Sequence, residues 1–278
     1  ETDKSFIHKP MQNLLILVLA YFVPELYSTE SHARPKSLAD IYSEIRGYVH
    51  QFPRLATIIE IGRSLEQRPI YCVEIHDRSV VHNITIVLIF GIHPREWASQ
   101  NSAVFSIEQL LSNTEHRRCI QTTKWMIVPV MNPDGYHYST NTSSLWRKNL
   151  RPLPNSKCFG VDLNRNFPVG WERTEEDQCQ GVYSGPSPLS EPESQVLKDF
   201  LETVNHTDAY VDVHSCAQSI LLPYGYTKNK PPHEALRRMV KAAEDMKAAM
   251  EKTRGSKYVV QSAADLYVAG GCVVRFRI

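Results

Sequence analysis

Three residues, His93, Glu96 and His214, have types and surroundings that could do chemistry. Gly91-Ile92-His93-Pro94-Arg95-Glu96-Trp97 follows the apolar run Ile84 to Phe90, and a His and a Glu three residues apart in the turn after a strand can converge on one cation. Alone, the pair decides nothing. With 11 histidines in 278 residues, roughly 0.75 such His-x-x-Glu pairs arise by chance. Context raises it: Tyr210-Val211-Asp212-Val213-His214-Ser215 puts another histidine at the end of another apolar run. Two histidines and one glutamate with an open fourth position form the donor set of a catalytic zinc site, whose chemistry is the activation of water.

The elements that must position these residues follow from periodicity. Ser37 caps a predicted helix through about Gln51, with Pro53 marking its end. Strands are predicted at Ala56 to Ile61, Ile70 to Ile75 and Ile84 to Phe90, the last apolar throughout and so central. A helix from Trp97 to Leu111, a strand from Lys124 to Val130, a helix from Glu191 to Val204, a strand from Ala209 to Val213 and a long amphipathic helix from His233 to Thr253 complete the pattern. Strands alternating with helices imply an α/β sandwich. No linker-like shift in composition divides the chain, so one domain is expected. The stretch from Met131 to Pro188, rich in Asn, Ser, Pro and Gly, reads as a long functional loop.

Composition narrows the partners. Hydrophobic residues make up 42% of the chain, which supports a large core, and 31 basic against 30 acidic residues leave a net charge of +1. That balance gives no electrostatic case for nucleic acid or an anionic membrane. The apolar run Leu14 to Val23 is too short to span a membrane and suits the core of a secretory leader, expected over 11–33 with cleavage after Ser31-His32-Ala33 and with 1–10 upstream of the true start. Sequons at Asn83, Asn141 and Asn205 fit passage through the secretory pathway to the extracellular space. Of six cysteines, Cys158 and Cys179 bracket a polar loop and are the expected disulfide. Closing that loop is worth about 3 kcal/mol on a chain-entropy basis.

Five motifs stand in one order: Gly91 to Trp97, Leu145-Trp146-Arg147-Lys148, Gly160-Val161-Asp162-Leu163-Asn164-Arg165-Asn166, His214-Ser215, and Leu222-Pro223-Tyr224-Gly225-Tyr226. Through them the chain resembles the A/B-type zinc metallocarboxypeptidases from about Ser37 to Cys272, with Tyr224 to Lys230 nearest in pattern to the carboxypeptidase O branch. The resemblance implies a single-domain α/β/α sandwich with a mixed central sheet. It implies one zinc per chain held by His93, Glu96 and His214, with Asp162 orienting His93. Asn164 and Arg165 would clamp a substrate's free C-terminal carboxylate, and Tyr267 would close over it. Arg147 would steady the developing oxyanion and Arg95 would contact the penultimate residue. The implied partners are peptides and proteins with a free C-terminus, acted on by a secreted monomer.

Departures from that pattern set further expectations. Pro94 replaces a small residue in the metal loop, a change expected to be tolerated, and Cys216 replaces an aromatic one. The family's general-base glutamate lies on a strand beyond the Gly270-Gly271 turn, whereas the sequence ends at Val273 to Ile278. The catalytic domain, 37–272, is therefore expected to lack its last strand and helix, with 273–278 a divergent tail and activity impaired. With the leader at 11–33, no folded prosegment is expected before Ser37. Asp212, two residues before His214 and on the same face of the strand, is expected to favour substrates ending in Lys or Arg. Two other readings share these residues: a non-catalytic zinc-containing binder of peptide C-termini, and a zinc deacylase for small acylated amino acids.

Overall fold

Helix α1 (Leu38–Gln51) starts where Ser37 places it: the Ser37 hydroxyl accepts the Asp40 N–H while the Asp40 carboxylate accepts the Ser37 N–H, closing a capping box. These residues belong to a computed structural model that describes 14–19, 35–154, 156–172, 178–204, 206–215 and 217–272. The expected upstream segment, Asn205, Cys216 and the tail from Val273 to Ile278 lie outside the described residues.

The strands are β1 (Leu14–Leu19), β2 (Ala56–Arg63), β3 (Pro69–Ile75), β4 (Ile84–Phe90), β5 (Thr123–Val128), β6 (Ala209–His214), β7 (Ser219–Leu222) and β8 (Val259–Ser262). They form one sheet in the order β2-β3-β5-β4-β6-β1-β7-β8. Pairing is parallel for β4 with β5 and β6, for β1 with β6 and for β7 with β8, and antiparallel for β2 with β3, β3 with β5 and β1 with β7. The sheet is thus mixed. Both faces are covered. On one, Val73, Ile75, Phe90, Ile127, Val211 and Val213 pack with α1, α2 (Trp97–Ser112) and α6 (His233–Arg254). On the other, Ile70, Cys72, Val87, Ile89, Met126 and Tyr210 pack with Leu197, Phe200 and Leu201 of α5 (Pro192–Thr203). Strand β4 contributes to both layers, which is why its sequence is apolar at every position but Thr85.

Leu14–Leu19, part of the expected leader, lies in the sheet as β1, in register Leu14 to Ala209 through Leu19 to His214 on one side and paired with β7 on the other. A run apolar at every position suits a strand flanked on both sides as well as it suits a leader, and periodicity alone does not separate them. One expectation needs correction: the stretch after Met131, read as a long loop, contains α4 (Pro133–Asn141). Its start carries a start signal in Asn132, whose side chain accepts the Gly135 N–H, followed by Pro133 in the first turn. Short α3 (Arg117–Thr122) and α7 (Ala263–Leu266) also form. The Cys158–Cys179 disulfide is present as expected, and among the described residues Cys72, Cys119 and Cys272 are free thiols.

Beneath the chemistry-bearing residues lies a buried polar network. Asn149 donates to Glu191 (2.7 Å) and Glu193 (3.2 Å), and its carbonyl oxygen accepts the Val161 N–H (2.8 Å). Arg151 pairs with Glu191, and the Leu65 N–H reaches Glu193 (3.0 Å). This network holds the segment carrying Arg147 against the segment carrying Asp162, since Asn149 and Val161 also bond backbone to backbone (2.9 Å).

Burial pushes the Glu193 carboxyl up to about 7 from an ordinary value near 4.5, against the hydrogen bonds it accepts. The folded state therefore holds this proton more tightly than the unfolded chain, and the associated stability falls as pH rises from about 4.5 to about 7, by about 3 kcal/mol. Glu193→Gln keeps a hydrogen-bonding group and removes the titration. Urea unfolding of both proteins at pH 5 and pH 8 should show the wild type losing stability relative to the variant over that interval; an unchanged difference would contradict the assignment.

Candidate metal centre

The two histidines are delivered by neighbouring strand exits. Strand β4 ends at Phe90, and Gly91 turns the chain with φ +68°, a conformation that favours glycine; a Cβ there would also sit 2.7 Å from the Gln100 amide nitrogen. Ser99 ties the exits together by accepting the Gly91 N–H (3.1 Å) and donating to the Val213 carbonyl of β6. The loop from His93 to Glu96 closes with the Glu96 N–H on the His93 carbonyl (3.2 Å), which puts Pro94 at the second position of a four-residue turn. Proline's fixed φ suits that position, so the substitution in the metal loop is accommodated.

Glu96 stands at the first turn boundary of α2, yet its side chain does not cap the helix. It points instead at both histidines. Glu96 Oε1 lies 3.0 Å from His93 Nδ1, and Oε2 lies 2.9 Å from His214 Nδ1. The Ser215 N–H adds a bond to Oε2 (3.0 Å), and the two imidazole centroids are 4.7 Å apart. All three residues are buried, and one donor atom from each lies within 4.8 Å of the others. Burial would raise the Glu96 carboxyl, but the His214 and His93 rings beside it hold it well below the usual carboxylate range. Burial would lower His214, and flanking Asp212 and Glu96 instead hold it well above the usual histidine value. Two nitrogen donors and one carboxylate, converging and already desolvated, fit a borderline divalent cation such as zinc.

Each histidine has a carboxylate behind it. His93 Nε2 meets Asp162 Oδ1 at 3.1 Å, and His214 Nε2 meets Asp212 Oδ2 at 2.9 Å. Asp162 is fully buried, and its Oδ2 receives Arg147 through Nε and Nη2, both at 2.9 Å. Burial would raise this carboxyl, but Arg147 and His93 pull it far below the carboxylate range. The Asp212 carboxylate is also fully buried, so it shares the face of His214 as expected but is turned to the ring rather than exposed beside a pocket.

The remaining sequence-selected residues lie beside this centre or on its loops. The Asn164 amide nitrogen is 3.3 Å from His214 Nε2. Arg165, 9% exposed, donates through Nη1 to the Asn164 carbonyl (2.6 Å) and toward Cys272 Sγ (3.3 Å), and through Nη2 to the Tyr267 hydroxyl (3.0 Å). Gly271, with φ +67°, lets the chain pass so close to the Arg165 carbonyl that any Cβ would collide with it. Tyr267 is 56% exposed on its loop. Arg95, on the turn between the two loop donors, is exposed. A separate hollow of about 540 Å³, between β2, β3, β5 and α5, shares none of these residues. Sequence reasoning missed Ser99 as a tether, Cys272 as a partner of Arg165 and the orientation of Asp212.

Comparison with known proteins agrees with this arrangement. A family model described as "Zinc carboxypeptidase" matches residues 41–278. Carboxypeptidase O from Bos taurus is 33% identical over 278 residues, covering 97% of this chain and 72% of that protein. Mast cell carboxypeptidase A from Rattus norvegicus is 33% identical over 238 residues, covering 83% of this chain and 58% of that protein. Against the latter, the chain spans less than two thirds of the relative's length. Among solved structures, bovine thrombin-activatable fibrinolysis inhibitor, in complex with tick carboxypeptidase inhibitor, superposes with TM-score 0.78 at 32% identity, covering 86% of this chain and 80% of that one. Carboxypeptidase A from Helicoverpa armigera gives TM-score 0.76 at 30% identity, covering 86% and 60%.

Removing one of three protein donors leaves too few anchors for a tight site. Metal analysis after gel filtration should therefore find stoichiometric zinc on the wild type and none on His93→Ala or His214→Ala. Full occupancy in His214→Ala would reject it as a ligand.

Proposed function

This chain belongs to the zinc carboxypeptidase family, and on that premise we propose that it removes the C-terminal residue from peptides and proteins. The observation that carries the reading is the placement of a buried arginine next to the three-donor cluster, Arg165 adjoining Asn164, whose amide reaches His214. A planar guanidinium in a desolvated position binds a carboxylate by two parallel charge-assisted bonds, and only a chain terminus brings such a carboxylate beside the bond to be cut.

His93, Glu96 and His214 would hold one zinc per chain. Zinc, when bound, supplies a Lewis acid that polarises a carbonyl and makes water nucleophilic near neutral pH. The chain's own residues do the rest. Asp162 keeps the His93 proton on Nε2, leaving Nδ1 as donor. Arg165 and Asn164 bind the terminal carboxylate, and Tyr267, exposed and already within reach of Arg165, closes over it. Arg147, anchored by Asp162, faces the carbonyl oxygen as charge develops there, and Arg95 contacts the preceding residue.

One observation favours a second reading. Among the described residues, each carboxylate at the centre is engaged: Glu96 with both histidines, Asp162 with His93 and Arg147, and Asp212 with His214. Taking a proton from water needs a further acceptor. Without one, the same clamp makes a zinc-containing binder of peptide C-termini. Under either reading we take the protein as a secreted, glycosylated monomer, supported by exposed Asn83 and Asn141 in sequons and by the Cys158–Cys179 disulfide.

An N-acylated dipeptide and its C-terminal amide separate these readings. Zinc-dependent release of the last residue from the acid alone is expected, and Arg165→Met should weaken kcat/KM on the order of 100-fold. Binding of the acid without release supports the binder. Equal handling of acid and amide would contradict both.

A further inference from the structure

Asp212 is the one buried carboxylate at the centre whose partners do not account for its burial. It is fully inaccessible, its Oδ2 meets His214 Nε2 at 2.9 Å, and its Oδ1 has no hydrogen-bond partner among the described residues. On the same face of β6 the buried Tyr210 hydroxyl is also unpartnered. A carboxylate with half its acceptor capacity unmet destabilises a fold, so its position calls for a reason other than packing.

We propose that Asp212 is a positioning residue that selects the tautomer of His214 and so keeps Nδ1 free as a donor; the inference rests on the zinc reading of the cluster. The competition for Nε2 is visible in the distances. Two groups reach that nitrogen, the Asp212 carboxylate at 2.9 Å and the Asn164 amide nitrogen at 3.3 Å. A carboxylate only accepts, so Asp212 keeps a proton on Nε2; Glu96, 2.9 Å from Nδ1, accepts from the other nitrogen while no cation is present, and with Nε2 held by Asp212 it is the Nδ1 proton that a cation replaces. An amide NH₂ only donates, so with Asn164 as sole partner of Nε2 that nitrogen is left unprotonated, the proton stays on Nδ1 against Glu96, and the donor atom is lost. Asp212 sits nearer and carries charge, and it wins.

The backbone makes the contact rigid. Asp212 and His214 alternate onto one face of β6, which is paired on both sides, Ile89 standing opposite Asp212 in β4 and Leu17 opposite it in β1. Asp162 performs the equivalent office for His93 from a loop, where Arg147 and the Asn164 N–H satisfy its remaining valences. The centre thereby holds two carboxylate–histidine pairs. This placement also explains why Asp212 does not face a substrate side chain: its reaching oxygen is bound to the ring.

The test uses the full chain carrying Asp212→Leu or Asp212→Asn, with zinc affinity read by chelator competition and thermal unfolding read alongside. Leucine removes the acceptor and the buried charge together, so its melting temperature should match or exceed the wild type while zinc affinity falls 10- to 100-fold. Asparagine can turn its carbonyl oxygen to Nε2 and should recover most of that affinity. Long-range ¹H–¹⁵N spectra of the metal-free proteins should show His214 Nε2 protonated in the wild type and unprotonated in Asp212→Leu, where the remaining proton sits on Nδ1 against Glu96. Unchanged affinity with an unchanged tautomer in Asp212→Leu would overturn the proposal, as would an asparagine variant as weak as the leucine one. If the wild type binds no zinc, the metal reading fails, and the tautomer comparison still decides the role of Asp212.

Discussion

The Glu96 carboxylate stands between two imidazoles, each oxygen facing one Nδ1, and much of the structure exists to make that arrangement bearable. A carboxylate buried among side chains is costly unless its oxygens are met, and here two rings and the Ser215 N–H meet them. For the rings to arrive from opposite sides, β4 and β6 must be neighbours and must end at the same level. Their parallel register, Phe90 opposite Val213, does this, and Ser99 locks the two exits. The left-handed turn at Gly91 then aims His93 back across the end of β6.

Charge is layered outward from Glu96. The histidines follow, then Asp162 and Asp212, then Arg147 behind Asp162, so that each buried charge touches one of opposite sign. Buried ion pairs contribute little net stability, because desolvation offsets most of their attraction. The apolar layers on the two faces of the sheet must therefore supply the stability that the centre does not. A fully buried isoleucine contributes about 1.5–3 kcal/mol, and Ile41, Ile45, Ile70, Ile75, Ile89, Ile107, Ile120 and Ile127 are all buried in this way. Among the described residues the uncompensated buried groups include Asp212 Oδ1 and Tyr210 Oη on β6 and the Gln100 amide beneath Gly91, while His76 Nδ1, Asn101 Oδ1, Ser194 Oγ and Thr207 Oγ1 lie on other elements.

Most of the sheet and helix order was legible in the sequence because each element carries a local signal. Ser37 with Asp40, the apolar β4 and the apolar run into His214 each declare themselves without tertiary context. The candidate donors were legible for a similar reason, since His93 lies in the turn after β4 and His214 ends β6. What sequence could not supply was arbitration between equivalent patterns. Leu14–Leu19 has a composition that suits a leader and an interior strand alike, and its pairing with β6 and β7 is not written in that composition. The short β7 and β8 carry too few residues for a period to show. Asp212 was placed on the correct face by alternation, but whether it turned toward solvent or toward the ring depended on side-chain reach that strand periodicity does not encode.

The central claim is that two imidazoles and one carboxylate, without a thiol, are the protein donors to a single zinc; among the described residues His93, Glu96 and His214 are the group of three able to converge in this way. Zinc-edge X-ray absorption on the loaded full chain reads this directly. The account predicts a shell of nitrogen and oxygen scatterers at about 2.0–2.2 Å with the outer-shell pattern of imidazole. A sulfur scatterer at about 2.3 Å would show that a cysteine holds the metal and would contradict it.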